Sequence, residues 1–167
     1  MKLFGHPVHQ QLVVFPLGLL TTAAIFDLIA LVRANSFWSG ISFWLITAGV
    51  IGGFLAAVFG TMDWLGLPAK TRAKRIGLWH GCGNALVMLL FTGSWLLRHG
   101  EPENPSAFAL TLSFVAVAVA LVSGWLGGEL VDRMGIGVDE GANLNAPSSL
   151  SGKPAGHRSP RPAKRAA

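Results

Sequence analysis

A single cysteine, Cys82, stands among 167 residues. It excludes an internal disulfide and any multi-cysteine metal or iron–sulfur centre within one chain. Charge is also sparse: Asp, Glu, Lys and Arg together make up 13% of the residues, too few to give a soluble domain of this size a polar surface. A Gly-rich phosphate loop and a nucleophile elbow are both missing, so nothing points to nucleotide or serine-hydrolase chemistry. Nor is there a recognisable cleavable leader. His6, Pro7 and His9 interrupt the start and no small-residue cleavage site follows the first apolar stretch, so that stretch is expected to remain as an anchor.

What is present is apolar. Hydrophobic residues are 51% of the chain and the mean hydropathy is +0.52. Residues 3–26, 34–62, 76–97 and 104–128 contain no Asp, Glu, Lys or Arg, and each gap holds the roughly 20 apolar residues that cross about 30 Å of hydrocarbon. The reading is an all-α integral membrane protein, a four-helix transmembrane bundle spanning 1–138, with helices near 11–32, 38–60, 77–98 and 107–128. Four spans put both termini on one side. That side carries Lys2, Lys70, Arg72, Lys74, Arg75 and Arg133, against Arg33 and Arg98 on the other, and basic residues near span ends are retained in the cytoplasm. Both termini are therefore expected inside. Trp38, Trp64, Trp79, Trp95 and Trp125 fall near the expected interfaces, and Trp44 lies deeper.

The sequence pI is near 10.2, yet five of the 13 basic residues are Lys153, Arg158, Arg161, Lys164 and Arg165, within a Pro, Ser and Gly-rich segment. Residues 139–167 read as a disordered basic tail, either solvated or resting on anionic headgroups, and nucleic acid is not expected as a partner. His157 belongs to this tail and receives no role.

Helical spacing gives the remaining polar residues a direction. Gly77, His80, Gly81, Asn84, Met88, Phe91 and Trp95 recur every three or four residues and line one face of the third span. His9 and Asp27 are 18 residues apart, five turns at about 3.6 residues each, with Pro16 between them as a potential kink. The second span carries Gly49, Gly53 and Ala57 on one ridge with Gly52, Ala56 and Gly60 beside it, small residues that let helices approach closely. Replacing Gly53 with Leu is expected to separate the helices.

Depth sorts these residues further. His6, His9, Asp63, Trp64, His80, Asn84, Glu129 and Asp132 gather at the cytoplasmic ends of helices. His99 lies 19 residues beyond His80, about 28 Å along a helix and thus at the opposite face. His9 and His80, on helices running the same way, can share a ligand. Facing imidazoles are what bis-histidine haem b ligation needs, with Gly77 and Gly81 leaving room for a porphyrin and Asp63 or Asn84 orienting a ring. The candidate cofactor residues are His9, His80, His6, Gly77, Gly81, Asn84 and Asp63, with haem iron the metal. Such a protein transfers electrons to or from a quinone or a redox partner and is not an enzyme by itself. A hydrogen bond from His80 to Asp63 or Asn84 satisfies the same residues without any cofactor, which leaves a membrane subunit or scaffold docking a partner through the 70–75 loop and the tail. Divalent metal transport through His6, His9 and Asp63 lacks a second polar layer across the bilayer. His6 also reads as a headgroup-level histidine, Asp27 as an ion-pair partner of Arg33 or Arg98 or as a proton relay, Glu129 and Asp132 as interfacial charges, and Met88 and Cys82 as packing.

The motifs GHPVHQ, FPLG, GTMDW, LWHGCGN and GWLGGELVDRMGIGVDEG, with Asp27 in the first span, together resemble the bacterial membrane family catalogued as domain of unknown function 2231. The resemblance covers residues 4–141. It implies a membrane protein without an established activity, similar in layout to small two-haem membrane cytochromes and associated in some fusions with redox domains. It also implies a shared polar pattern at His6, His9, Asp63, His80 and Asn84. One departure stands out: where the resemblance leads one to expect LVYRHGVGV, this chain reads LVDRMGIGV. Asp132 and Met134 replace Tyr and His, so only a weaker thioether remains for a second cofactor.

Overall fold

Each charge-free gap carries one long helix. A computed structural model describes residues 1–156; His157, Arg158, Arg161, Lys164 and Arg165 lie outside the described residues. A two-stranded antiparallel hairpin, β1 (Lys2–Leu3) and β2 (His6–Pro7), precedes α1 (Val8–Leu12) and α2 (Val14–Arg33). Then come α3 (Phe37–Leu65), α4 (Arg72–Arg98) and α5 (Ala107–Gly128), the last continued by a π-helical turn, Glu129–Arg133. Four helical stretches, Val8–Arg33, Phe37–Leu65, Arg72–Arg98 and Ala107–Arg133, are long and apolar enough to cross a membrane. The first is interrupted at Val13, three residues before Pro16, because proline has no amide to return to the carbonyl of Leu12.

Both ends of the described chain meet at one end of the bundle. The Met1 amine pairs with Asp63 at the end of α3, Lys2 pairs with Asp139 beyond α5, and the Gln10 amide donates to the Ile136 carbonyl at 3.3 Å. At this terminal end the helices run three to five residues past the spans expected from charge. At the opposite, far end they agree within one residue. The extra turns have a simple cause. Thr71 caps α4 by accepting the Lys74 amide at 3.1 Å, so Arg72, Lys74 and Arg75 sit in a helical turn from which long side chains reach out of the apolar layer. Lys74 also donates to the carbonyls of Trp64 (2.7 Å) and Leu65 (3.3 Å) and lies 4.0 Å from the Trp64 ring centroid, closing the C-terminus of α3 with a cation. Helices of 26 to 29 residues reach about 40 Å, beyond the roughly 30 Å hydrocarbon layer, so their end turns lie among headgroups.

The stretch 139–156, the start of the segment read as a disordered tail, makes turns of its own. Asn143 donates to the carbonyls of Gly141 (2.9 Å) and Ala155 (2.8 Å), and a 3-10 turn, Ser149–Ser151, rests on the N-terminal hairpin through the Ser149 hydroxyl and the Phe4 carbonyl at 3.1 Å. Composition alone carries no trace of these local bonds.

Packing divides the bundle into two antiparallel pairs, α2 along α3 and α4 along α5, which meet more sparsely. Leu20, Ala23, Ile46, Val87, Phe91 and Ala116 form the central core, whereas Leu17, Leu31, Trp44, Leu89, Leu121 and Trp125 are exposed around the belt, as lipid contact requires. Small residues sit at the closest approaches. A Cβ on Gly49 would lie 2.6 Å from Leu20 Cδ2 and 2.7 Å from its Cγ, and one on Gly53 would lie 2.3 Å from Met88 Sδ. The tip of Met88 can swing away, but the branched Leu20 is locked in the core. Gly49→Ala is thus expected to destabilise the bundle by about 1–3 kcal/mol and Gly53→Ala by less. Thermal unfolding of both variants in one detergent checks the order, and a larger loss at Gly53 would show that Met88 does not yield.

Candidate functional site

His9 on α1 and His80 on α4 bring their rings together inside the terminal end of the bundle. The centroids are 6.4 Å apart and the planes nearly perpendicular, at 85°. Each ring is anchored by a backbone carbonyl of a neighbouring helix: His9 Nδ1 lies 3.0 Å from the Ala56 oxygen on α3 and His80 Nδ1 lies 2.8 Å from the Ser123 oxygen on α5. A carbonyl only accepts, so both Nδ1 atoms carry a proton, and in the neutral form of each ring Nε2 holds the lone pair.

Glycine makes these positions possible. A Cβ on Gly60 would come within 2.8 Å of His9 Cε1, and one on Gly127 within 3.0 Å of His80 Cε1. The helices can therefore approach the rings only where no side chain intervenes. Around His80 a closed polar ring forms. Asn84 Nδ2 donates to His80 Nε2 at 3.0 Å, and the Ser123 hydroxyl donates to Asn84 Oδ1 at 2.9 Å, while the Ser123 carbonyl takes the His80 proton. Asn84 lies one helical turn from His80, which gives its amide the reach.

The other candidates are placed elsewhere. His6, in β2, is exposed, with Nε2 3.4 Å from the Ser149 hydroxyl. The hairpin reverses the chain at Phe4 and Gly5, both at positive φ, and so directs His6 away from His9. Asp63 pairs with the Met1 amine and not with a ring. Gly77 packs against Trp64, and Gly81 faces open space. No group of three or more His, Cys, Asp or Glu able to hold a metal ion occurs among the described residues, so His6, His9 and Asp63 do not assemble a transport site. His99 sits at the far end, edge-on to Trp95 with 5.4 Å between centroids. Ser123, Gly60, Gly127 and the Ala56 carbonyl were not singled out as site residues from the sequence. The signal for Gly127 and Gly60 is their position near a helix end at the depth of the histidines. The backbone carbonyls leave no signal in residue identity.

A second polar assembly occupies the far end. Asp27 and Arg98 are both 0% exposed and form a two-pronged ion pair, Nη1 to Oδ1 at 2.8 Å and Nη2 to Oδ2 at 2.7 Å. The remaining guanidinium protons go to Ser94 (3.1 Å), Ser42 (3.3 Å) and Ser113 (3.1 Å). All five donors are used, on partners from all four membrane-spanning segments. Of the two arginines expected near Asp27, Arg98 is the partner and Arg33 stays exposed.

This four-helix layout, with its motifs in order, coincides with a family model for predicted membrane proteins, domain of unknown function 2231, over residues 5–140. The chain belongs to the DUF2231 family. No curated protein and no solved structure matches it. The DUF2231 region takes in both polar assemblies, the histidine pair and the Asp27–Arg98 clasp, and stops short of the turns at 141–156.

Proposed function

We propose that this DUF2231 protein is an inner-membrane electron carrier that binds one haem b between His9 and His80. The observation that carries the reading is the facing pair of imidazoles, each with Nδ1–H on a backbone carbonyl and Nε2 as the lone-pair nitrogen. That is the tautomer a metal-binding imidazole needs, and a carbonyl on the other nitrogen both orients the ring and raises its basicity. His9 and His80, whose ring centroids are 6.4 Å apart, would hold the iron through these two nitrogens. The donor set thus fits the group. Asn84 must release Nε2 for this, and its carbonyl oxygen keeps the Ser123 hydroxyl as partner. Gly60 and Gly127 hold the rings without crowding them. A haem bound there supplies a one-electron couple, with a quinone or a redox protein as the exchange partner.

Basic residues support an orientation with both termini in the cytoplasm. The terminal end holds Lys2, Lys70, Arg72, Lys74, Arg75 and Arg133; at the far end Arg98 is neutralised by Asp27, which leaves Arg33. Reporter fusions at residue 35, near 72, at 103 and at the C-terminus test this, and periplasmic reporting from the loop near 72 would overturn it. The haem reading is tested by the absorption spectrum of the full chain, expressed with ample haem and recorded oxidised and reduced; a low-spin b-type spectrum is expected.

One observation favours a second reading. Asn84 already completes the hydrogen bonding of His80, so the cluster is satisfied without a cofactor, as in a membrane subunit that docks a partner through Lys70 and Arg75. A folded but colourless protein selects this reading over the first.

A further inference from the structure

The far end carries two neighbouring clefts that share the segment Glu103–Asn104. The smaller, about 320 Å³, reaches down between the end of α2 and the start of α3 to Asp27. Its walls include Ser39, which is 4% exposed and whose hydroxyl has no hydrogen-bond partner among the described residues. A hydroxyl that lines a cleft without a protein partner has its bonding capacity left for an occupant. The larger cleft, about 490 Å³, sets Glu101 and Glu103 beside Phe37 and Trp44. Neither carboxylate pairs with a described residue. The apolar sides do not stop at the cleft: Leu31, Phe37 and Trp44 are 56%, 59% and 69% exposed and continue into the lipid-facing belt.

We infer that these clefts seat the headgroup of a zwitterionic aminophospholipid, phosphatidylethanolamine in type. An ammonium fits between Glu103 and Glu101 and over the aromatic faces of Phe37 and Trp44, which attract cations. The headgroup phosphate, one short linker away, accepts from the Ser39 hydroxyl. The acyl chains continue along the apolar walls into the bilayer. Charge separates this occupant from its rivals: an anionic lipid meets two uncompensated carboxylates, and a choline headgroup has no N–H to donate to them. The site is at the opposite end from His9 and His80 and needs nothing from them.

Native mass spectrometry of the full chain, released from nanodiscs of equal phosphatidylethanolamine, phosphatidylglycerol and phosphatidylcholine, tests the inference. Preferential retention of one phosphatidylethanolamine is expected. The double variant Glu101→Gln/Glu103→Gln should lower that retention about three- to fivefold, as the loss of a partly exposed ion pair predicts. Ser39→Ala should lower it as well, and Glu140→Gln, far from the clefts at the terminal end, should not. All are compared at matched unfolding temperatures. Soluble glycerophosphoethanolamine is the second arm, since competition by the chain-free headgroup would show that the acyl chains contribute nothing and that a free amine, not a lipid, is the occupant. Equal retention of the three lipids, or unchanged preference in the double Gln variant, would overturn the proposal.

Discussion

Arg98→Met is expected to destabilise the bundle by about 3–5 kcal/mol, the characteristic loss when one member of a buried ion pair is removed. The size follows from what the variant strands. Asp27 is left with two oxygens in an apolar interior and no partner, and Ser42 loses its only side-chain donor at this site. Arg98→Lys should recover part of the loss, because an ammonium offers three donors where five are used. The double variant Asp27→Leu/Arg98→Met should regain more, since removing both charges removes the unpaired one. Thermal or denaturant unfolding in one detergent gives the ranking parent, double variant, Arg98→Met. An Arg98→Met protein as stable as its parent would mean that the clasp adds nothing.

Replacing either His9 or His80 with Ala is expected to abolish the low-spin b-type spectrum altogether, and replacing His99 to leave it intact. In the proposed site each imidazole would supply one of the two nitrogens that hold the iron, so no partial loss is anticipated from deleting either. His99 is the matched control: it follows directly on the helix that carries His80 and packs on Trp95 at the far end. Gly60→Val supplies an independent check. Its side chain would occupy the space within 3 Å of the His9 ring and push the imidazole out of line, so haem content should fall while all five histidines remain. Loss of the spectrum in His99→Ala, or its survival in His80→Ala, removes the pair as ligands.

Much of the fold was legible because charge is forbidden where lipid surrounds the chain, so the far-end boundaries at Arg33, Phe37, Arg98 and Ala107 follow from the charge-free gaps. The terminal-end boundaries were not, because Arg72, Lys74 and Arg75 read as a loop by charge although they lie in the first turn of α4. The meeting of His9 with His80 came from depth alone, and that of His80 with Asn84 from a spacing of four. Choosing glycines was harder. Gly77 and Gly81 share a face with His80 on their own helix, whereas the glycines against the rings, Gly60 and Gly127, come from α3 and α5, and no spacing within α4 can point to them. Asp27 and its two arginines illustrate the same limit: Arg33 is six residues along the same helix and leaves on another side, and the choice of Arg98 depends on how α2 meets α4.

The clasp also has a history in time. Asp27 precedes Arg98 by 71 residues, so at synthesis rates of about 5–20 residues per second it leaves the ribosome roughly 4–14 s before its partner. Throughout that interval the first helical pair carries an acid at membrane depth with nothing to neutralise it. The second pair then arrives with the matching base and three serines arranged to receive it. A chain that ended after α3 would keep Asp27 in the bilayer without the partner that the second helical pair supplies.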